Sequence, residues 1–175
     1  MKILGLLRHA KSDWDDVGKR DFDRGLNDRG RRGAKLMGRY IDDHEQDWDL
    51  VLASPAERAK QTVADALPLA EPVWDERLYL ADPPTIIEVL QAHGGDAESV
   101  LVVGHNPGLQ EMLFMLVPED GETGDFDEAA TKYPTAAYSI FELDIDDWSQ
   151  IEKGCGQLVH FKRPRDLDPS LGPES

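Results

Sequence analysis

Three short stretches of the chain are apolar at nearly every position: residues 3–7, 50–53 and 100–103. A strand with one wet face alternates apolar and polar side chains. Unbroken runs of this length therefore predict strands buried on both faces, as in a parallel sheet. Helical periods separate them. Ala56, Ala59, Val63, Ala66 and Leu67 recur on one face of a 3.6-residue repeat, as do Leu109, Met112, Leu113 and Leu116. Ile86, Ile87 and Leu90 form a further stripe behind Asp82-Pro83-Pro84, a cap followed by a proline start. Asn27 is read as the cap of a helix reaching about Asp43, with Met37, Tyr40 and Ile41 inward, although Gly30 and Gly33 weaken its helix propensity. Strands alternating with helices predict an α/β fold, a three-layer α/β/α arrangement around a mostly parallel central sheet.

The last third departs from that rhythm. Residues 136–143 and 156–162 read as two strands around a polar turn, 144–154, paired as an edge hairpin. Residues 117–134, rich in glycine and acidic side chains, read as a long surface loop. The expected organisation is one domain over residues 1–163 and a disordered tail over 164–175, which holds three prolines and no core pattern.

Composition removes several function classes. A chain of 175 residues fits one domain with a full core. No apolar run approaches the ~20 residues needed to span a bilayer. The apolar start is too short for a signal-peptide core and runs straight into Arg8, so a cytoplasmic protein is expected. One cysteine, Cys155, excludes an intrachain disulfide. A formal net charge of −16 argues against nucleic-acid or anionic-membrane partners, and its spread along the chain reads as a solvated surface. The sequence has no His-x-His, His-Glu-x-x-His or cysteine pair, and Asp144, Asp146 and Asp147 lack EF-hand spacing. Neither a metal nor a cofactor is expected. His44, His93 and His160 sit in no motif and read as surface or loop residues.

The candidate chemistry lies where the three apolar runs end. The first ends in Arg8-His9-Ala10-Lys11-Ser12. The second ends in Ser54-Pro55, followed by Arg58, Gln61 and Thr62. The third ends in Gly104-His105-Asn106-Pro107. In an open parallel sheet ligands bind outside the carboxyl ends of the strands, so the three motifs converge. Ser54-Pro55 and Asn106-Pro107 each read as a cap before a proline at the first helical position, aiming free N–H groups into the crevice. Arg8 and Arg58 add planar forks suited to phosphate oxygens. The inferred ligand is a phosphoryl group. A neutral imidazole is a good nucleophile, and a cationic neighbourhood keeps it neutral. His9 is the candidate nucleophile, with Arg8, Arg58 and His105 holding the equatorial oxygens as charge builds on them. Ser12 and Asn106, in the same motifs, are expected to contribute to substrate binding.

Taken as an ordered set, these motifs resemble the histidine phosphatase superfamily with its phosphoglycerate-mutase-like fold, and most closely the short SixA-type phosphohistidine phosphatases. Arg24-Gly25-Leu26-Asn27-Asp28-Arg29-Gly30 belongs to the same resemblance, which reaches to about residue 162. It implies a phosphohistidine intermediate on His9, no metal, and phosphate binding by Arg8, Arg58 and His105. It also implies that Arg24 approaches the site, as in SixA-like members. Two departures are local: Ala10 replaces the commoner glycine after the nucleophile, and Gly25 replaces a proline. The third is chemical. Many members place a glutamate two residues beyond a mid-chain leucine as general acid, whereas the matching stretch here is Leu78-Tyr79-Leu80. Glu76 and Asp82 are nearby. An alkoxide leaving group needs a positioned acid, worth ~10²–10⁴ in rate, while an imidazole leaving from phosphohistidine depends on one far less. The expected substrate is a phosphorylated protein or a small phosphorylated compound. The alternatives are a phosphatase of small esters, a mutase, or a phosphate-binding module without catalysis.

Overall fold

The structure is a computed structural model that describes residues 1–172. Its strands are β1 (Lys2–Arg8), β2 (Leu50–Ala53), β3 (Val73–Trp74), β4 (Ser99–Gly104), β5 (Tyr138–Leu143) and β6 (Gly156–Lys162). Its helices are α1 (Asp28–Asp43), α2 (Glu57–Ala66), α3 (Pro83–His93), α4 (Gly108–Leu116), α5 (Gly124–Thr131) and α6 (Pro164–Leu167). One sheet runs in the order β3-β2-β4-β1-β5-β6. The first four strands in that order are mutually parallel, and β5 pairs antiparallel with both β1 and β6. This is the expected α/β sandwich with a mostly parallel sheet. No helix among the described residues is long and apolar enough to cross a membrane.

The unbroken apolar runs follow from burial on both faces. Leu4, Leu6, Leu52, Val100 and Val102 point to the core shared with α3, α4 and α5. Their neighbours Leu7, Ala53, Leu101 and Val103 point the other way, to the core shared with α1 and α2. The register then sets the site. Arg8 pairs with Gly104, and Ala53 with Val103. The ladders continue one step further, since His9 N–H donates to Gly104 O (3.0 Å) and Ser54 N–H to Val103 O (3.0 Å). His9, Ser54 and His105 therefore leave the sheet side by side.

The predicted caps of α1 and α3 are formed. Asn27 Oδ1 accepts from Gly30 N–H (2.7 Å), and Asp82 Oδ1 accepts from Thr85 N–H (3.0 Å) with Pro83 at the first turn. The glycines of α1 serve close approach. A Cβ on Gly30 would lie 2.0 Å from Lys11 O, and one on Gly38 would lie 2.6 Å from Ala66 O. The first brings the start of α1 onto the loop after β1, and the second brings α1 onto the end of α2.

Several expectations need correction. Strand β3 was not foreseen, because two residues carry no period. Residues 117–134 are not a structureless loop: Thr123 caps α5, and Phe126, Ala129 and Tyr133 are buried, so the glycine and acid content marks only its outer face. The segment 144–154 is not simply polar. Trp148 is buried and its Nε1–H donates to Ala97 O (2.8 Å), with Ile145 and Ile151 also in the core. The hairpin itself is formed: β5 and β6 pair antiparallel with β6 outermost at one edge of the sheet, while β3 makes the other edge. The tail is ordered through Gly172. Pro164 starts α6, Leu171 is buried, and Arg29 Nη2 donates to Gly172 O (2.8 Å). One well-placed leucine docks a segment that three prolines made look structureless; residues 173–175 lie outside the described residues. His160 is a half-buried β6 residue, not a loop residue. Its ring stacks on Tyr40 with Nε2 2.6 Å from the hydroxyl, and His44 lies 4.7 Å from it between ring centroids. His93, in α3, meets Asp75 at 2.9 Å.

Candidate active site

One cavity at the carboxyl ends of β1 and β4 is lined by Arg8, His9, Ser12, Arg24, Arg58, His105 and Asn106, so every site residue expected from sequence is present. Lys11, Trp14, Leu80 and Thr135 complete its wall.

His9 is buried, and its Nδ1 lies 2.7 Å from Ala10 O. A carbonyl can only accept, so Nδ1 carries the proton and Nε2 keeps its lone pair. Burial, reinforced by His105, Arg8 and Arg58, holds the ring's pKa well below the ordinary histidine value, outweighing the Ala10 carbonyl. Helix α2 supports this turn: Ala10 N–H donates to Thr62 Oγ1 (2.9 Å), which itself donates to Arg58 O (2.7 Å). Thr62 thereby links the nucleophile's loop to the arginine's helix.

Arg8 Nη1 donates to Tyr133 O (3.0 Å), which also accepts from Asn106 Nδ2 (2.9 Å). Tyr133 is fixed in turn by its hydroxyl, which donates to Leu6 O (2.8 Å). His105 lies with its ring centroid 5.2 Å from that of His9, and its Nε2 is 2.7 Å from Ser54 Oγ. Burial, then Arg58 and Arg8, push the His105 pKa down to about 3 against the pull of Asp21. Arg24 is buried with its guanidinium 3.4 Å above the Trp14 ring, while Trp14 itself is 70% exposed. Gln61 Oε1 accepts from Leu26 N–H (2.7 Å) and ties the Arg24 loop to α2.

Four buried polar nitrogens around this cavity have no hydrogen-bond partner: Arg8 Nε, Arg24 Nε, Arg24 Nη1 and His105 Nδ1. Buried polar nitrogens are almost always paired, and the three of Arg8 and Arg24 can only donate, so their cluster at a cavity marks a place for an acceptor-rich ligand. Three guanidinium groups beside them make that ligand an anion, and a tetrahedral phosphoryl group offers the oxygens. No group of three or more His, Cys, Asp or Glu side chains suited to hold a metal ion occurs among the described residues.

Two details differ from the sequence reading. The helices begin later, α2 at Glu57 after the cap Ala56 and α4 at Gly108 after the cap Pro107, so neither proline occupies the first helical position. Ser54 Oγ instead accepts from Ala56 N–H (3.3 Å) and meets His105, and Asn106 Oδ1 accepts from Gln110 N–H (3.2 Å). The second difference is Asp21, which sequence reasoning missed. Its backbone oxygen accepts from Arg58 Nη1 (2.8 Å) and its carboxylate from Arg58 Nη2 (3.0 Å), from Arg24 and from the Tyr79 hydroxyl. Partial burial opposes the charge, but the Tyr79 and Arg58 hydrogen bonds prevail and keep the carboxyl below its usual pKa. Asp21 is one acid among many in its segment, and only its three-residue spacing to Arg24 hinted at a pair.

Comparisons agree with this geometry. The family model of the histidine phosphatase superfamily (branch 1) matches residues 4–79. An uncharacterized protein of Mycobacterium tuberculosis is 36% identical over 160 residues, spanning 91% of this chain and 100% of the relative. The chain is similar to a structure of a candidate phosphohistidine phosphatase SixA from Nakamurella multipartitia, with TM-score 0.82, 27% identity, and 93% and 96% of the two chains covered. A candidate SixA from Agrobacterium tumefaciens gives TM-score 0.76 at 29% identity, covering 93% of this chain and 98% of the other. With its motifs converging at the sheet end and close relatives along nearly its whole length, the chain belongs to the histidine phosphatase superfamily.

Proposed function

We propose that this protein is a SixA-like phosphohistidine phosphatase in which His9 is the nucleophile. The observation that carries the reading is the His9 ring: Nδ1 is committed to Ala10 O, so Nε2 offers its lone pair inside a cavity of unpartnered buried donors. The Nε2 lone pair forms a bond to phosphorus while the bond to the leaving nitrogen breaks and its electron pair departs with that nitrogen. The imidazolium formed on His9 is stabilised through Nδ1–H by the Ala10 carbonyl. As charge spreads over the equatorial oxygens, Arg8, Arg24, Arg58 and His105 Nδ1–H receive it, the last with Ser54 donating to Nε2. Water then attacks the phosphorylated His9 and releases inorganic phosphate.

Leu80 supports the choice of substrate. It lines the cavity in the segment where a general acid is expected, and it has no proton to give. A leaving group that needs none is the better match.

The test is phosphate release from a phosphohistidine-bearing protein and from an aryl phosphate, with EDTA present. Wild-type turnover that is abolished in His9→Ala and indifferent to the chelator is the expected result. A wild type inert on both substrates, yet binding phosphate, would replace the enzyme with a binding module.

A further inference from the structure

A carboxylate has no obvious place in a phosphate site, where a fixed negative charge repels the ligand. Yet Asp21 accepts hydrogen bonds from Arg24 and Arg58, both buried in the cavity wall. Its third partner, Tyr79, directly precedes Leu80 and lies edge-on to the His105 ring at 5.5 Å between centroids. Asp21 does not itself line the cavity; its carboxylate, 44% exposed, is bonded to two arginines that do, which leaves it room to meet a group that projects from the bound phosphoryl. Its three side-chain partners are all donors, which makes it an ionised acceptor and unfit to be a proton donor.

Building on the reading of His9 given above, we propose that Asp21 is the specificity-determining residue for the leaving group, accepting a hydrogen bond from the protonated ring nitrogen of a phosphorylated imidazole. The neighbouring carboxylate raises the affinity of that nitrogen for its proton. When His9 Nε2 bonds to phosphorus, the substrate P–N bond breaks and its electron pair stays on the departing nitrogen. The opposite ring nitrogen keeps its proton, so the ring leaves as neutral imidazole and no proton moves to it. An ester oxygen would leave as an anion facing the Asp21 carboxylate, with leucine where an acid would have helped. The same charge thus favours one leaving group and disfavours the other.

The deciding experiment measures kcat/KM for a phosphohistidine-bearing protein and for p-nitrophenyl phosphate in wild type, Asp21→Asn and Tyr79→Phe. The ratio of the first substrate to the second is expected to fall at least ~10-fold in Asp21→Asn, a change of ~1.4 kcal/mol, but not to fall in Tyr79→Phe, which keeps the carboxylate and frees one of its lone pairs. The alkaline limb of kcat for phosphohistidine is expected to move to lower pH in Asp21→Asn, because the bound ring then loses its proton more easily. Loss of both substrates by the same factor, down to background included, would show that Asp21 only props Arg24 and Arg58, and overturns the inference. A wild type that hydrolyses neither substrate overturns the phosphatase reading itself. An active wild type with an unchanged ratio in Asp21→Asn overturns this inference alone.

Discussion

At His9 and His105 the same physical cause, burial beside arginines, governs both reactivity and stability. Each ring stays neutral in the folded protein under conditions where it takes a proton in the unfolded chain, whose histidines titrate near 6.5. The unfolded state therefore binds more protons below that value, and stability rises with pH there. The stabilising difference is fully present above pH 6.5. It is lost as pH falls through the window from 6.5 toward about 3 for His105, and further for His9. Thermal melts between pH 7.5 and 5 are expected to show a falling Tm for wild type and a shallower fall for His105→Gln. Parallel curves would contradict this account of His105.

The elements are placed by close contacts that only some of their glycines require. A Cβ at Gly30 would meet the Lys11 carbonyl at 2.0 Å, while one at Gly33 would meet nothing within 4 Å, although both lie in α1. Gly30→Ala is expected to destabilise by ~1–3 kcal/mol as overpacking against backbone, and to lower kcat because the loop it displaces carries His9 to Ser12. Gly33→Ala is expected to stabilise by up to ~1 kcal/mol through helix propensity. Urea denaturation of the two variants checks both signs. Similar losses in both would mean that the close approach of α1 to the loop after β1 is not what Gly30 serves.

For the whole molecule, the decisive contrast is between a surface of net charge −16 and one cavity holding Arg8, Arg24 and Arg58. Self-repulsion of the three guanidinium groups, relieved only in part by Asp21, disfavours the empty folded state. A bound oxyanion removes that cost and stabilises by mass action, ~2.7 kcal/mol at 100 times its Kd. Inorganic phosphate is therefore expected to raise Tm over sodium chloride of equal ionic strength, and to do so far less in Arg58→Ala. Equal shifts in the two proteins would place the effect on the surface rather than in the cavity.

The β1, β2 and β4 runs, the caps Asn27 and Asp82, and the strand-end motifs were legible in the residues alone. Each depends on neighbours within a few positions, and a parallel sheet of necessity gathers its strand ends at one edge. His9 with Ala10, Ser54 before Arg58, and His105 with Asn106 needed no knowledge of distant contacts to be singled out. Asp21 was decided by tertiary structure, because its partners Arg58 and Tyr79 lie 37 and 58 positions away and only its three-residue spacing to Arg24 is local. The same holds for the ordered tail, docked through Leu171, for α5, whose apolar residues are few, and for Trp148, Ile145 and Ile151, buried in a segment rich in acidic residues. Short-range pattern determines which side chains leave the sheet together. Long-range packing determines which charge is paired with them, and in this protein that charge is the Asp21 carboxylate bonded to Arg24 and Arg58.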